Sequence, residues 1–107
     1  MENEASLLTE LQETLPVKTD GRPTMEELIL RMAEYVNGLI EGDFQQLVSM
    51  LYSIDVSESR LRSVLKTHPG EDAGRLIAEL IIERQLQKIR TRHQYRSGPA
   101  DTDEEKW

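Results

Sequence analysis

His68 and His93 are the two histidines of this chain, the side chains best suited to proton transfer or metal ligation near neutral pH. Either chemistry needs ligands or an orienting group converging on the ring. His68 stands in a His68-Pro69-Gly70 break with Glu71 and Asp72 beside it, and His93 stands in a basic stretch; neither has a ligand set within its local sequence. The acid pairs Glu26-Glu27, Glu71-Asp72 and Glu104-Glu105 are adjacent rather than facing, so they do not form a paired-carboxylate centre. Negative charge at a helix N-terminus explains the first two. There is no cysteine, hence no thiolate nucleophile, no disulfide framework and no zinc site of the usual kind. Gly38, Gly42, Gly70 and Gly74 form no phosphate-binding array, and Met25, Met32 and Met50 stand at core spacing. The expectation is a protein that is not an enzyme and takes no metal and no cofactor.

Nucleic-acid binding is the alternative chemistry. Residues 43–67 have the proportions of a helix-turn-helix, with Val56, Leu61 and Val64 at positions such a unit would bury and Arg60, Arg62 and Lys66 along its second helix. Against it, Glu58 occupies the end that should meet base edges, and Asp55 stands where a turn glycine belongs. Residues 24–83 carry a net charge of −6, the wrong sign for phosphate contact. A second candidate is the run RQLQKIRTRHQYR, whose basic patch is Arg84, Lys88, Arg90, Arg92 and Arg96; Tyr95 interleaves with the arginines and can stack on a base or a partner's ring. The competing explanation is that cations near a helix C-terminus complement its dipole and face this protein's own acids.

These residues need elements to hold them. At 107 residues the chain has room for one core, and its charged, aromatic-poor composition suits an all-α fold. The spacing predicts a small bundle of four main helices with a short N-terminal helix and a disordered C-terminal tail. Residues 1–23 form an N-terminal segment and linker, 24–96 the helical domain, and 97–107 an acidic tail that begins at a Gly-Pro pair and ends in Trp107. Leu7, Leu8, Leu11 and Leu15 fall on one side of a helix over 6–15 that Pro16 stops, a docking segment too short to be stable alone.

Thr24 with Glu27, Asp43 with Gln46, and Ser57 are the expected caps, and Gly42 the expected left-handed exit. Between them lie the stripe Met25, Leu28, Ile29, Met32, Val36, Leu39, Ile40, the buried side Phe44, Leu47, Val48, Leu51, Tyr52, and the core-facing Leu61, Val64, Leu65. Val56 and Leu61 stand at the positions of a hydrophobic staple.

The last helix carries two apolar faces. Ala73, Leu76, Ile77, Leu80 and Ile81 share one side, while Ile82, Leu86, Ile89 and His93 lie opposite. Leaving three aliphatics in water forgoes about 1.5–3 kcal/mol each, an upper-end figure. The second face is therefore expected to be an interface: with an identical helix of a second subunit, giving a homodimer, with the N-terminal leucines, or with a foreign protein partner. A helix wrapped on both sides by its own bundle is the remaining alternative. If the face docks outward, Ile82→Glu with Ile89→Glu changes molar mass and leaves the helix content intact.

The stretches GDFQQLVSMLYSIDVSESRLR and EDAGRLIAELIIERQLQKIRTR resemble the matching stretches of a group of short all-helical proteins, without an assigned activity, from Bacteroidetes bacteria. The resemblance covers Thr24 to Arg96; it implies a bacterial cytoplasmic setting and brings no catalytic residue. The N-terminal MENEASLLTELQE is acidic and has no unbroken apolar run, and no stretch approaches 18 apolar residues, so neither a signal peptide nor a membrane span is expected. Together these features predict a small cytoplasmic interaction or regulatory module, self-associating through its last helix.

Overall fold

Three short polar side chains mark where helices begin. A computed structural model describes residues 4–97, and among them the regular structure is five helices: α1 (Glu4–Glu13), α2 (Met25–Gly42), α3 (Phe44–Ser53), α4 (Glu58–Thr67) and α5 (Ala73–Ser97). The Thr24 hydroxyl accepts from the Glu27 N–H at 3.1 Å, the Asp43 carboxylate from the Gln46 N–H at 3.2 Å and the Ser57 hydroxyl from the Arg60 N–H at 3.2 Å. Each bond satisfies a backbone donor that the helix itself leaves free.

Two ends differ from expectation. α1 stops at Glu13 rather than 15; the N–H groups of Thr14 and Leu15 turn back onto the carbonyls of Leu11 and Gln12 at 2.9 and 3.1 Å. Gly42 does not take a left-handed exit but remains helical, and the chain turns at Asp43, which ends α2 by donating its N–H to Leu39 at 2.8 Å and caps α3 with its side chain. Among the described residues the left-handed ones are Gly21, Gly70 and Asp55, the last at φ 64°. The linker after α1 is folded back, because the Gln12 side-chain oxygen accepts both the N–H and the hydroxyl of Thr19 at 2.8 and 2.7 Å.

α5 is the spine. Its 25 residues span roughly 37 Å, most of the 47 Å long axis of the molecule. α2 lies along it and buries Leu28, Met32, Ala33 and Val36 against Ile77, Ala78 and Ile81. Arg75 clamps the pair, donating both ends of its guanidinium to the Glu26 carboxylate at 3.0 and 3.1 Å. That hydrogen bonding holds Glu26 below its ordinary pKa and raises that of Arg75. Nearby, the Asn37 carboxamide donates to Asp72 at 3.2 Å and rests against Gly74, where a side chain would collide with it.

Leu7, Leu8, Leu11 and Leu15 belong to the same buried cluster as these α2 and α5 residues, so α1 shares the core of the helices that follow it. The sides of α3 and α4 expected to be buried are largely open. Only Leu47 of α3 is enclosed, at 1% exposure; Val48 and Leu51 are half-buried, while Phe44 and Tyr52 are 59% and 79% exposed. α4 has no buried residue, and Leu61, Val64 and Leu65 are half-buried. The cause is topological: α3 packs on α2 and α4 on α5, and the two make little contact with each other. The tail beyond Ser97, with Trp107, lies outside the described residues. Among the described residues no helix is long and apolar enough to cross a membrane.

Candidate functional site

The second face of α5 is covered by α1. Ile82 and Ile89 are 3% and 0% exposed, and Leu86 is half-buried against the same cluster. α1 runs antiparallel to α5: Glu10 meets the far end of α5, while Leu15 lies beside Ile81 and Gln85. The Glu10 carboxylate sits 2.9 Å from the His93 Nε2 and accepts from Arg92 at 3.5 Å. Desolvation pushes the Glu10 carboxyl up, but the hydrogen bonds and charge of His93 and Arg92 outweigh it and hold the group below its ordinary value. Ile82 and Ile89, read from sequence as an outward interface, are thus interior residues, and the leucines of α1 are what they face. Among the covers open to sequence reasoning, the structure places the chain's own N-terminal helix there.

The basic residues do not form one free patch. Arg84 turns toward the α3–α4 corner, donating to the Ile54 carbonyl at 3.2 Å and to Asp55 at 3.3 Å, and also reaching Gln87 at 3.1 Å. Arg92 holds α1. Lys88 is half-buried, Arg90 is exposed, and the side chain of Arg96 lies outside the described residues. Tyr95 is exposed. In the helix-turn-helix segment, Arg60 pairs with Glu83 of α5 at 2.9 Å and Arg62 with Glu58 at 2.7 Å. Val56, Leu61 and Val64, which such a unit would enclose, are only half-buried.

Both histidines are taken up by the chain itself. His68 Nδ1 lies 3.0 Å from the Val64 carbonyl and 3.0 Å from the Thr67 hydroxyl at the end of α4, and His93 faces Glu10. Among the described residues no group of three or more histidines and carboxylates is placed to hold a metal ion.

What the divergence of α3 and α4 creates is a groove of about 370 Å³. Phe44, Val48, Leu51 and Tyr52 form its α3 wall above Leu47, and Leu61 and Leu65 form its α4 wall. Val56, Ile40, Ala73 and Ile77 close its ends and floor, and Glu58 is the one charged side chain among the lining residues. Val56 and Leu61, which stand at the staple positions in the sequence, both line it. Exposed acids adjoin groove residues along the chain: Glu41 and Asp43 next to Ile40 and Phe44, and Glu71 and Asp72 just before Ala73. Arg62 and Lys66 line a second depression on α4 with Ser59, Ser63 and Glu58, the last of which also lines the groove.

Sequence reasoning assigned these groove residues to the core. The signal that could have separated them is the length of their helices: ten residues each, joined by four, with three acids and no base from Glu41 to Asp55. Comparisons of the chain with protein-family models, with curated proteins and with solved structures found no match.

Proposed function

We propose that this protein is a non-catalytic protein–protein interaction module that docks a partner in the groove between α3 and α4. The observation that carries the reading is the exposure of Phe44 and Tyr52 at the rim of an apolar, helix-walled groove, whereas Leu30 and Tyr95, the other exposed large apolar side chains among the described residues, line no such groove. Exposed aromatics around a concave apolar floor are the usual anchors of a protein interface. A bacterial cytoplasmic setting, which the sequence resemblance implies, belongs to the same reading. Self-association through α5, expected from sequence, becomes a conditional property in it, because the α5 face is open to a second subunit only when α1 leaves.

Site-specific photo-crosslinking tests the assignment. With p-benzoylphenylalanine at position 44 or 52, a discrete adduct with one protein is expected in cells. The same group at position 30, an exposed apolar site on α2 outside the groove, is expected to give none. Equal labelling from all three positions, or none from 44 and 52, would refute the groove as the docking surface. Nucleic acid recovered at 44 or 52 in place of protein would favour the helix-turn-helix reading.

A further inference from the structure

Resting on that reading of the groove, we infer that its occupant is an amphipathic α-helix that places large apolar side chains between α3 and α4 and carries lysine or arginine on its flanks. The walls are helices whose backbone groups are already paired, so an extended strand would find no free edge to join. A helix needs only a row of apolar side chains three and four residues apart, and ten-residue walls of roughly 15 Å accommodate about two turns of such a row. Phe44 and Tyr52 stand on one wall, Leu61 and Leu65 on the other, and an anchor side chain would reach Leu47 and Ile77 between them.

Charge selects among occupants. Glu41, Asp43, Glu71 and Asp72 adjoin groove residues in the sequence and are in no ion pair among the described residues, although Asp43 and Asp72 also accept from the N–H groups of Gln46 and Gly74; Arg62 is already paired with Glu58. A second copy bound face to face would bring the same acids against themselves, and each copy carries a net charge of −7. Residues 98–107 of this chain carry four acids and one base, so that segment is opposed by the same field. A basic helix meets neither obstacle, and the acids steer its approach.

The test uses the full chain and three peptides of 14 residues. One has leucines at helical spacing with lysines between them; one has the same composition in an order that breaks the helical spacing; one replaces every lysine with glutamate. Methyl chemical shifts and calorimetry are read together. The lysine peptide is expected to bind at 1:1 and to move the methyl signals of Val48, Leu51, Leu61 and Leu65. The scrambled and glutamate peptides are expected to bind at least about tenfold more weakly. Glu41→Gln with Glu71→Gln should weaken the lysine peptide about three- to tenfold, chiefly through the association rate. Tyr52→Ala, at an exposed position that leaves the fold in place, should speed dissociation instead.

Equal binding of the lysine and glutamate peptides in the groove would overturn the basic-helix assignment and leave the groove as a docking site. Binding that moves signals elsewhere, or equally strong binding of the scrambled peptide, would overturn it as surface charge alone. If no peptide moves the groove methyls, the docking reading falls with it. Growth of mass in the unmixed chain that Phe44→Ala abolishes would give the groove to a second copy.

Discussion

At the scale of single residues, much of the chain's conspicuous chemistry serves its own structure. Glu10 ties α1 to α5 through His93 and Arg92, and its lowered carboxyl fixes the sign of a pH effect. A group whose pKa is depressed on folding stabilises the folded state above its unfolded pKa and loses that contribution as pH falls through the folded value. The docking of α1 should therefore hold from neutral pH down to the carboxylate range and loosen below it. Glu10→Gln should flatten this acid limb, as read from urea midpoints between pH 6 and 3; an unchanged limb would show that Glu10 contributes nothing to it. Asp55 offers a second test. Its φ of 64° disfavours a side chain, and Asp55→Ala and Asp55→Gly both remove the exposed carboxylate that meets Arg84. The alanine variant should be less stable than the glycine variant by about 1 kcal/mol, and equal stabilities would locate the role of Asp55 in its charge. The caps at Thr24, Asp43 and Ser57 were legible because a cap is a local hydrogen bond between residues three apart. The partners of His93 and Arg84 were not, since they lie 83 and 29 residues away.

At the scale of elements, α5 explains why one helix can be apolar on two sides. Its first half is enclosed by α2 with support from α4, and its second half by α1. The rotation of Ile82 and Ile89 away from Leu76 and Ile77 was readable from spacing alone, whereas the identity of their cover was a tertiary fact. Because both isoleucines are interior, Ile82→Glu with Ile89→Glu should unfold the chain instead of only altering its molar mass. Helical circular dichroism that survives the double change would return these residues to the surface. Ile89→Ala, at a fully buried site, should cost about 2–5 kcal/mol in urea denaturation. Deleting residues 1–20 uncovers the face and should raise the mass by self-association; a shortened chain that stays single and keeps the stability of the parent would show that α1 is not the cover.

At the scale of the whole molecule, the same faces that close α5 leave α3 and α4 incompletely closed. Periodicity says which side chains share a face; it does not say whether enough helices exist to cover every face. Phe44, Leu51 and Leu61 have the pattern of core residues, and in a larger bundle another helix would lie where the groove is. The preference proposed for that vacancy rests on charge, because the exposed acids Glu41, Asp43, Glu71 and Asp72 adjoin its residues in the sequence while the cations of α5 are partly committed elsewhere. The central claim is that α5 is sealed within one chain and that the groove is reserved for a different molecule. Light scattering of the full chain over a wide concentration range tests both halves together. The mass of a single chain at every concentration is the expected result, and a stable species of twice that mass would contradict it.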